Sequence, residues 1–133
     1  MRCALALALA ACGDPSPPHT LPPPDPAKLE AMSFEDRCRA VAPRTKPCMN
    51  EIIIADLARL GQGDEFVARM REEVENAGPS SPKELDALNA AECAADDDYP
   101  FAVMTCWSRT DCKQFATCVA SELDKTPHHE RGR

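Results

Sequence analysis

Eight cysteines punctuate a chain of 133 residues, and six of them, Cys38, Cys48, Cys93, Cys106, Cys112 and Cys118, lie beyond residue 30. An even set of that size in a small unit marks a fold built around disulfides rather than around a large core. Little chain is left for packing. Seven of the thirteen prolines (Pro15, Pro17, Pro18, Pro22, Pro23, Pro24 and Pro26) crowd between Gly13 and Pro26, so only the stretch from about 30 to 124 can form a domain. A unit of that length buries only about two-thirds of its surface. Three bridges at ~2–4 kcal/mol each would decide whether so small a core stays folded.

The remaining residues read as helices. Five glycines, and eight isoleucines and valines together, are too few for a sheet-rich fold. Start and stop signals are plentiful. Asp25-Pro26 places proline at a first helical position, and Ser33 with Asp36 offers a second start before Phe34, Cys38 and Val41. Pro47 opens a segment that runs to Leu60 and stops at Gly61, with Ile52, Ile53, Leu57 and Leu60 as its buried face. A strand over Glu51–Ile54 is the rival there, and the flanking Ala, Leu and Arg residues favour helix. Asp64 begins an amphipathic segment with Phe66, Met70, Val74 and Ala77 on one stripe. Ser81-Pro82-Lys83-Glu84 has the form of a capping box, and Leu85 and Leu88 then point towards Cys93. Pro100 opens a short helix through Trp107, and a last helix holds Cys112, Phe115, Val119 and Leu123. The expectation is an all-α, disulfide-stapled bundle of about five or six helices.

Helical geometry restricts the bridges. Cys112 and Cys118 share a helix and stand about 9 Å apart by the helical rise, beyond the ~7 Å that a disulfide tolerates. Cys38 and Cys48 flank Pro43–Pro47, read as a turn between helices, and make a natural hairpin staple. Cys106 then pairs with Cys112 or Cys118, and Cys93 takes the other.

The N-terminus reads Met1-Arg2-Cys3-Ala4-Leu5-Ala6-Leu7-Ala8-Leu9-Ala10-Ala11-Cys12: one basic residue, an apolar run, then small residues. That is the plan of a secretory signal, and the run falls well short of the ~20 residues of a permanent span. Leu9-Ala10-Ala11-Cys12 resembles the lipobox of bacterial lipoproteins, although an eleven-residue leader is shorter than usual. The resemblance implies cleavage before Cys12, acylation of that cysteine, and an exported protein lipid-anchored in the bacterial cell envelope. By the same resemblance, Gly13 in place of an aspartate implies a protein not held in the inner membrane, with the outer membrane or periplasmic face as the expected location. The expected layout is a lipoprotein signal peptide over 1–11, an acylated Cys12 and Pro-rich tether over 12–26, a cysteine-rich helical domain over 27–124 and a disordered tail over 125–133. Polyproline II at about 3.1 Å per residue would hold the domain up to ~40 Å from the bilayer. With Cys3 removed and Cys12 acylated, the six downstream cysteines are left to pair.

Two helical cysteine scaffolds share fragments of this pattern. Cys38-x9-Cys48 resembles half of the twin-cysteine hairpin of mitochondrial intermembrane proteins, without its second half. Cys106-x5-Cys112 resembles the final pair of saposin-like domains, whose opening Cys-x2-Cys is absent. Neither family is adopted.

Recognisable catalytic machinery is missing. The three histidines, His19, His128 and His129, fall in the tether and tail, where a fixed general base is hard to build. No zinc spacing, Cys-x-x-Cys, phosphate loop or nucleophile elbow occurs, and Asp96-Asp97-Asp98 lacks the alternation of a calcium loop. No metal, cofactor or catalytic residue is expected. The formal charge of -7 argues against nucleic acid as a partner. Tyr99, Phe101, Met104, Trp107 and Phe115 form the densest aromatic and Met cluster; core packing is the first reading, and a partner-binding patch over Tyr99, Phe101, Met104 and Trp107 is the alternative. The sequence therefore points to a non-enzymatic envelope protein that binds the bilayer through acylated Cys12 and another envelope protein through its domain. A small exported hydrolase or thiol-redox enzyme, or an inhibitor or immunity-type binder, is the alternative.

Overall fold

A computed structural model describes residues 21–125. Among them are seven α-helices and no strand: α1 Pro26–Ala31, α2 Phe34–Thr45, α3 Met49–Arg59, α4 Asp64–Ala77, α5 Pro82–Ala95, α6 Tyr99–Thr105 and α7 Cys112–Lys125. A 3₁₀ turn, Lys46–Cys48, joins α2 to α3. The fold is the expected small all-α bundle stapled by disulfides. The two starts read at Asp25 and Ser33 each open a helix of their own, which brings the described residues to seven helices against the five or six expected.

Local signals set these boundaries. Ser33 Oγ accepts from the Asp36 N–H at 3.2 Å. At Ser81 the capping box closes both ways: Ser81 Oγ accepts from the Glu84 N–H at 3.2 Å, and Glu84 Oε1 accepts from the Ser81 N–H at 2.7 Å. Each satisfies a donor that the first helical turn leaves unpaired. Pro26, Pro82 and Pro100 stand in first turns, where a missing N–H costs nothing. After α3, Gly61 takes φ 90°, a left-handed conformation that a side chain would strain.

The core gathers where α3 and α7 pack along their length, with α2, α5 and α6 closing the sides. Val41, Met49, Ile52, Cys93, Tyr99, Val103, Phe115 and Val119 fill it. In α3, Ile52 and Ile54 are buried, whereas Leu60, expected on the inner face, is 59% exposed. Leu60 is the cap residue at which the helix turns out into Gly61, so it leaves the packed face. The Phe66, Met70 and Val74 stripe of α4 is only half-buried, and α4 holds no fully buried residue. Arg71 Nη1 donates to Glu51 Oε2 at 2.7 Å and ties α4 to α3.

Three disulfides staple the described residues: Cys38–Cys93, Cys48–Cys112 and Cys106–Cys118. The expectation that Cys112 and Cys118 do not pair holds, and Cys106 takes Cys118, one of its two anticipated partners. The Cys38–Cys48 staple is corrected. Pro43 lies inside the last turn of α2, and the 3₁₀ turn carries the chain onward into α3, so no hairpin folds Cys48 back. Ten residues of helical rise separate the two by about 15 Å. Each instead reaches a distant helix, Cys38 to α5 and Cys48 to α7.

Arg44 locks the middle of the bundle. It is 1% exposed. Its Nε donates to Trp107 O and its Nη2 to Arg109 O, both at 2.8 Å. The guanidinium lies 3.7 Å from the centre of the Phe115 ring. No carboxylate pairs with it among the described ion pairs, and burial lowers its pKa. A planar fork with five donors is the side chain suited to holding two carbonyls at once. The chain also packs further upstream than the tether boundary suggests. Leu21 rests against the core, and its carbonyl accepts from Trp107 Nε1 at 2.6 Å.

Candidate binding groove

The helical repeat puts Phe34, Glu35, Cys38, Arg39, Ala42, Pro43 and Lys46 on one side of α2. On α5 it lines up Asp86, Asn89, Ala90 and Ala94. Where these faces meet they leave a groove of about 730 Å³. It stays open because Ala42, Ala90 and Ala94 offer one methyl each where larger side chains would close it. The Cys38–Cys93 bridge holds the two helices together beneath it, with Cα atoms 6.0 Å apart. Inside, Thr45 Oγ1 donates to Asn89 Oδ1 at 2.6 Å, a second tie between α2 and α5. The rim cations have their own partners: Lys46 Nζ pairs with Asp86 at 2.5 Å, and Arg39 with Asp36. The groove therefore presents an apolar floor and a charge-matched rim. That chemistry suits an apolar surface better than a charged ligand.

A polar cluster sits on another side of α5. Glu92 shares a small cavity of about 10 Å³ with Ile52, Asp56, Tyr99, Val119 and Leu123. Arg59 Nη2 pairs with Asp56 Oδ1 at 2.7 Å. Burial and, to a lesser degree, the Asp56 charge push the Glu92 carboxyl up from 4.5 to about 7, with Arg59 opposing. Burial also drives the Tyr99 phenol strongly upward. Its hydroxyl has no hydrogen-bond partner of good geometry. The cavity holds about one water at most, so it is a packing defect with titratable walls and too small for a substrate.

The aromatic and Met cluster packs into the core, and the alternative of a partner-binding patch is corrected. Tyr99 is 1% and Trp107 6% exposed, so a partner cannot reach them. Phe101 is half-buried beneath Arg37, 5.2 Å from its ring centre, and Met104 packs against the core. Aromatics that close together in so short a helix are needed by the core itself. Asp96 is buried as well, and its Oδ1 accepts from the Asp98 N–H at 2.8 Å, so it shapes the turn into α6. No group of three His, Cys, Asp or Glu side chains gathers into a metal site among the described residues. No helix among them is long and apolar enough to cross a membrane. Cys12, the leader, most of the tether, His19, His128 and His129 lie outside the described residues.

Fold and groove together define, over the described residues, a small, disulfide-stapled, all-α domain with an open apolar trough between α2 and α5. Compared with protein-family models, curated proteins and solved structures, the chain matches none. The trough escaped sequence reasoning because its signal is what is missing: alanines repeating at helical spacing on α5 look like ordinary helix filler. Arg44 escaped too, since an arginine between Pro43 and Thr45 reads as a solvated turn residue.

Proposed function

We propose that this chain is an exported protein, anchored through an acylated Cys12, whose domain binds another envelope protein without catalysing a reaction. The docking element is the α2/α5 groove, and its occupant is a short apolar helix of that partner, seated as a helix in a groove. The observation that carries this reading is the alanine-floored trough with a self-neutralised rim. From Phe34 to Lys46 it runs about 18 Å by the helical rise, the length of roughly three helical turns. A charged ligand would have to break the Lys46–Asp86 pair, whereas an apolar helix leaves it intact. The lipobox-like leader supports the anchor. Three bridges, each between two different helices, favour an oxidising compartment.

Site-specific photo-crosslinking in intact envelopes tests the groove. A benzoylphenylalanine placed at Arg39, exposed on the groove rim, should give one discrete membrane-protein adduct, and the same probe at exposed Ala68 on α4 should not. Adding Phe34→Asp should abolish the adduct. Equal labelling from both positions, or an adduct indifferent to Phe34→Asp, defeats the groove reading. Mass spectrometry of the membrane-purified protein tests the anchor, which an unmodified Met1 terminus would rule out.

A further inference from the structure

The Cys48–Cys112 bridge differs from the other two in what surrounds its sulfurs. Cys48 is the residue that caps the N-terminus of α3, and Cys112 is the first residue of α7. Both sulfurs stand at helix starts, the positive ends of helix dipoles. At α7 the Asp111 carboxylate already accepts from the Gln114 N–H at 2.7 Å, and at α3 Lys46 O accepts from the Met49 N–H, so the group that singles out Cys48 is a side chain. A third positive group is present. Arg44, buried and paired with no carboxylate among the described residues, brings Nη1 to 3.7 Å from Cys48 Sγ. Access is also uneven, because Cys48 is 3% exposed while Cys112 is half-buried.

Cys118 is half-buried like Cys112, but none of the other four sulfurs combines a helix start with an arginine N–H in hydrogen-bond range. Cys106 is fully buried at the C-terminal cap of α6, the negative end of its helix. Its partner Cys118 sits in the middle of α7. Cys38 lies inside α2, and fully buried Cys93 lies near the C-terminal end of α5. Thiolates are favoured at helix N-termini and beside arginine, and disfavoured in apolar interiors. A bridge whose reduced form is stabilised is the easier one to open.

We propose that Cys48–Cys112 is a thiol–disulfide exchange site for an external dithiol, with Cys112 as the sulfur attacked and Cys48 as the leaving thiolate. The reductant's thiolate forms a new S–S bond to Cys112 Sγ. The electron pair of the Cys48–Cys112 bond departs on Cys48 Sγ, held by Arg44 and the start of α3. The second thiol of the reductant, once deprotonated, attacks its own sulfur in the mixed disulfide and releases Cys112. Cys112 takes up one of the two protons, and the other passes to solvent. Pro47 O, 3.6 Å from Cys112 Sγ, accepts from the resulting thiol. Two electrons move from dithiol to protein, and the reductant leaves as a disulfide.

Equilibration of the full chain in graded reduced and oxidised dithiothreitol, with alkylation and peptide mass spectrometry, tests this. Cys48 and Cys112 should become alkylated together at a reduced-to-oxidised ratio about tenfold lower than the other four cysteines. Opening of all three bridges at one ratio, or of Cys106–Cys118 first, overturns the proposal. With glutathione, a monothiol, the adduct should collect on Cys112, and an adduct on Cys48 overturns the assigned direction. Arg44→Gln, checked by circular dichroism, should move the Cys48–Cys112 ratio about tenfold towards that of the other pairs. Where that variant does not fold, the order of opening in the parent chain still decides.

Discussion

Replacing Arg44 by methionine removes the guanidinium from the middle of the bundle and leaves a side chain of similar length. Two opposing effects set the outcome. The Trp107 and Arg109 carbonyls, each held at 2.8 Å, lose their donors. A buried acceptor left unmatched costs about 1–3 kcal/mol. Arg109 is itself exposed, so water can replace the donor at its carbonyl, and Trp107 O carries most of this loss. The guanidinium's contact with Phe115 disappears as well, worth about 1–2 kcal/mol at a desolvated site. Against these stands relief from burying a cation without a carboxylate, which can make an apolar replacement neutral or better. The hydrogen bonds and the ring contact should win by about 3 kcal/mol, a large part of the ~5–15 kcal/mol that holds a domain folded. Urea unfolding with disulfides intact, followed by Trp107 fluorescence and circular dichroism, reads this as a midpoint lower by about 1.5 M at a slope of ~2 kcal/mol/M. Arg44→Lys keeps the charge but not the fork, and should fall about halfway. A midpoint for Arg44→Met equal to or above that of the parent would refute the reasoning, because burial of the cation would then outweigh everything it holds.

Glu92 makes stability depend on pH in the direction opposite to a salt-bridged carboxylate. Its folded pKa of about 7 exceeds 4.5, so the folded state binds the extra proton and stability falls as pH rises from about 4.5 to 7. Glu92→Gln should flatten that slope and raise stability at pH 8 by up to about 3 kcal/mol, measured by urea melts across the range. Ser81→Ala breaks the capping box of α5 and should cost about 1 kcal/mol by the same melts. Phe115→Ala, at a fully buried position, should cost about 3–5 kcal/mol and visibly loosen the near-ultraviolet spectrum. Cys38→Ala with Cys93→Ala removes the bridge beneath the groove, across a sequence separation of 55, and should cost about 4 kcal/mol by loop entropy.

What the sequence made legible was local. Pro26, Ser33, Gly61, Ser81, Pro82 and Pro100 each act within one helical turn, so their roles can be assigned without knowing what lies across the bundle. Pairing of the cysteines is not of that kind. It depends on which helices become neighbours, and one misjudged proline was enough to upset it: Pro43 was expected to end a helix and instead sits in its last turn. Tyr99 and Trp107 were ambiguous for a related reason, since exposure is decided by packing partners far away in sequence. The groove was the least legible, because an open trough between helices leaves only small residues behind.

The three bridges are interleaved in the order 38–93, 48–112, 106–118. Every peptide bond between Cys38 and Cys118 is thus spanned by at least one of them, and a single protease cut anywhere in that stretch leaves one covalent molecule. Redundancy is uneven, however. Bonds between Cys93 and Cys106, where α6 begins and runs, are spanned by Cys48–Cys112 alone. Once that bridge opens, a nick at α6 divides the chain into two separable pieces, so surviving a cut there rests on the bridge whose sulfurs are best placed to part.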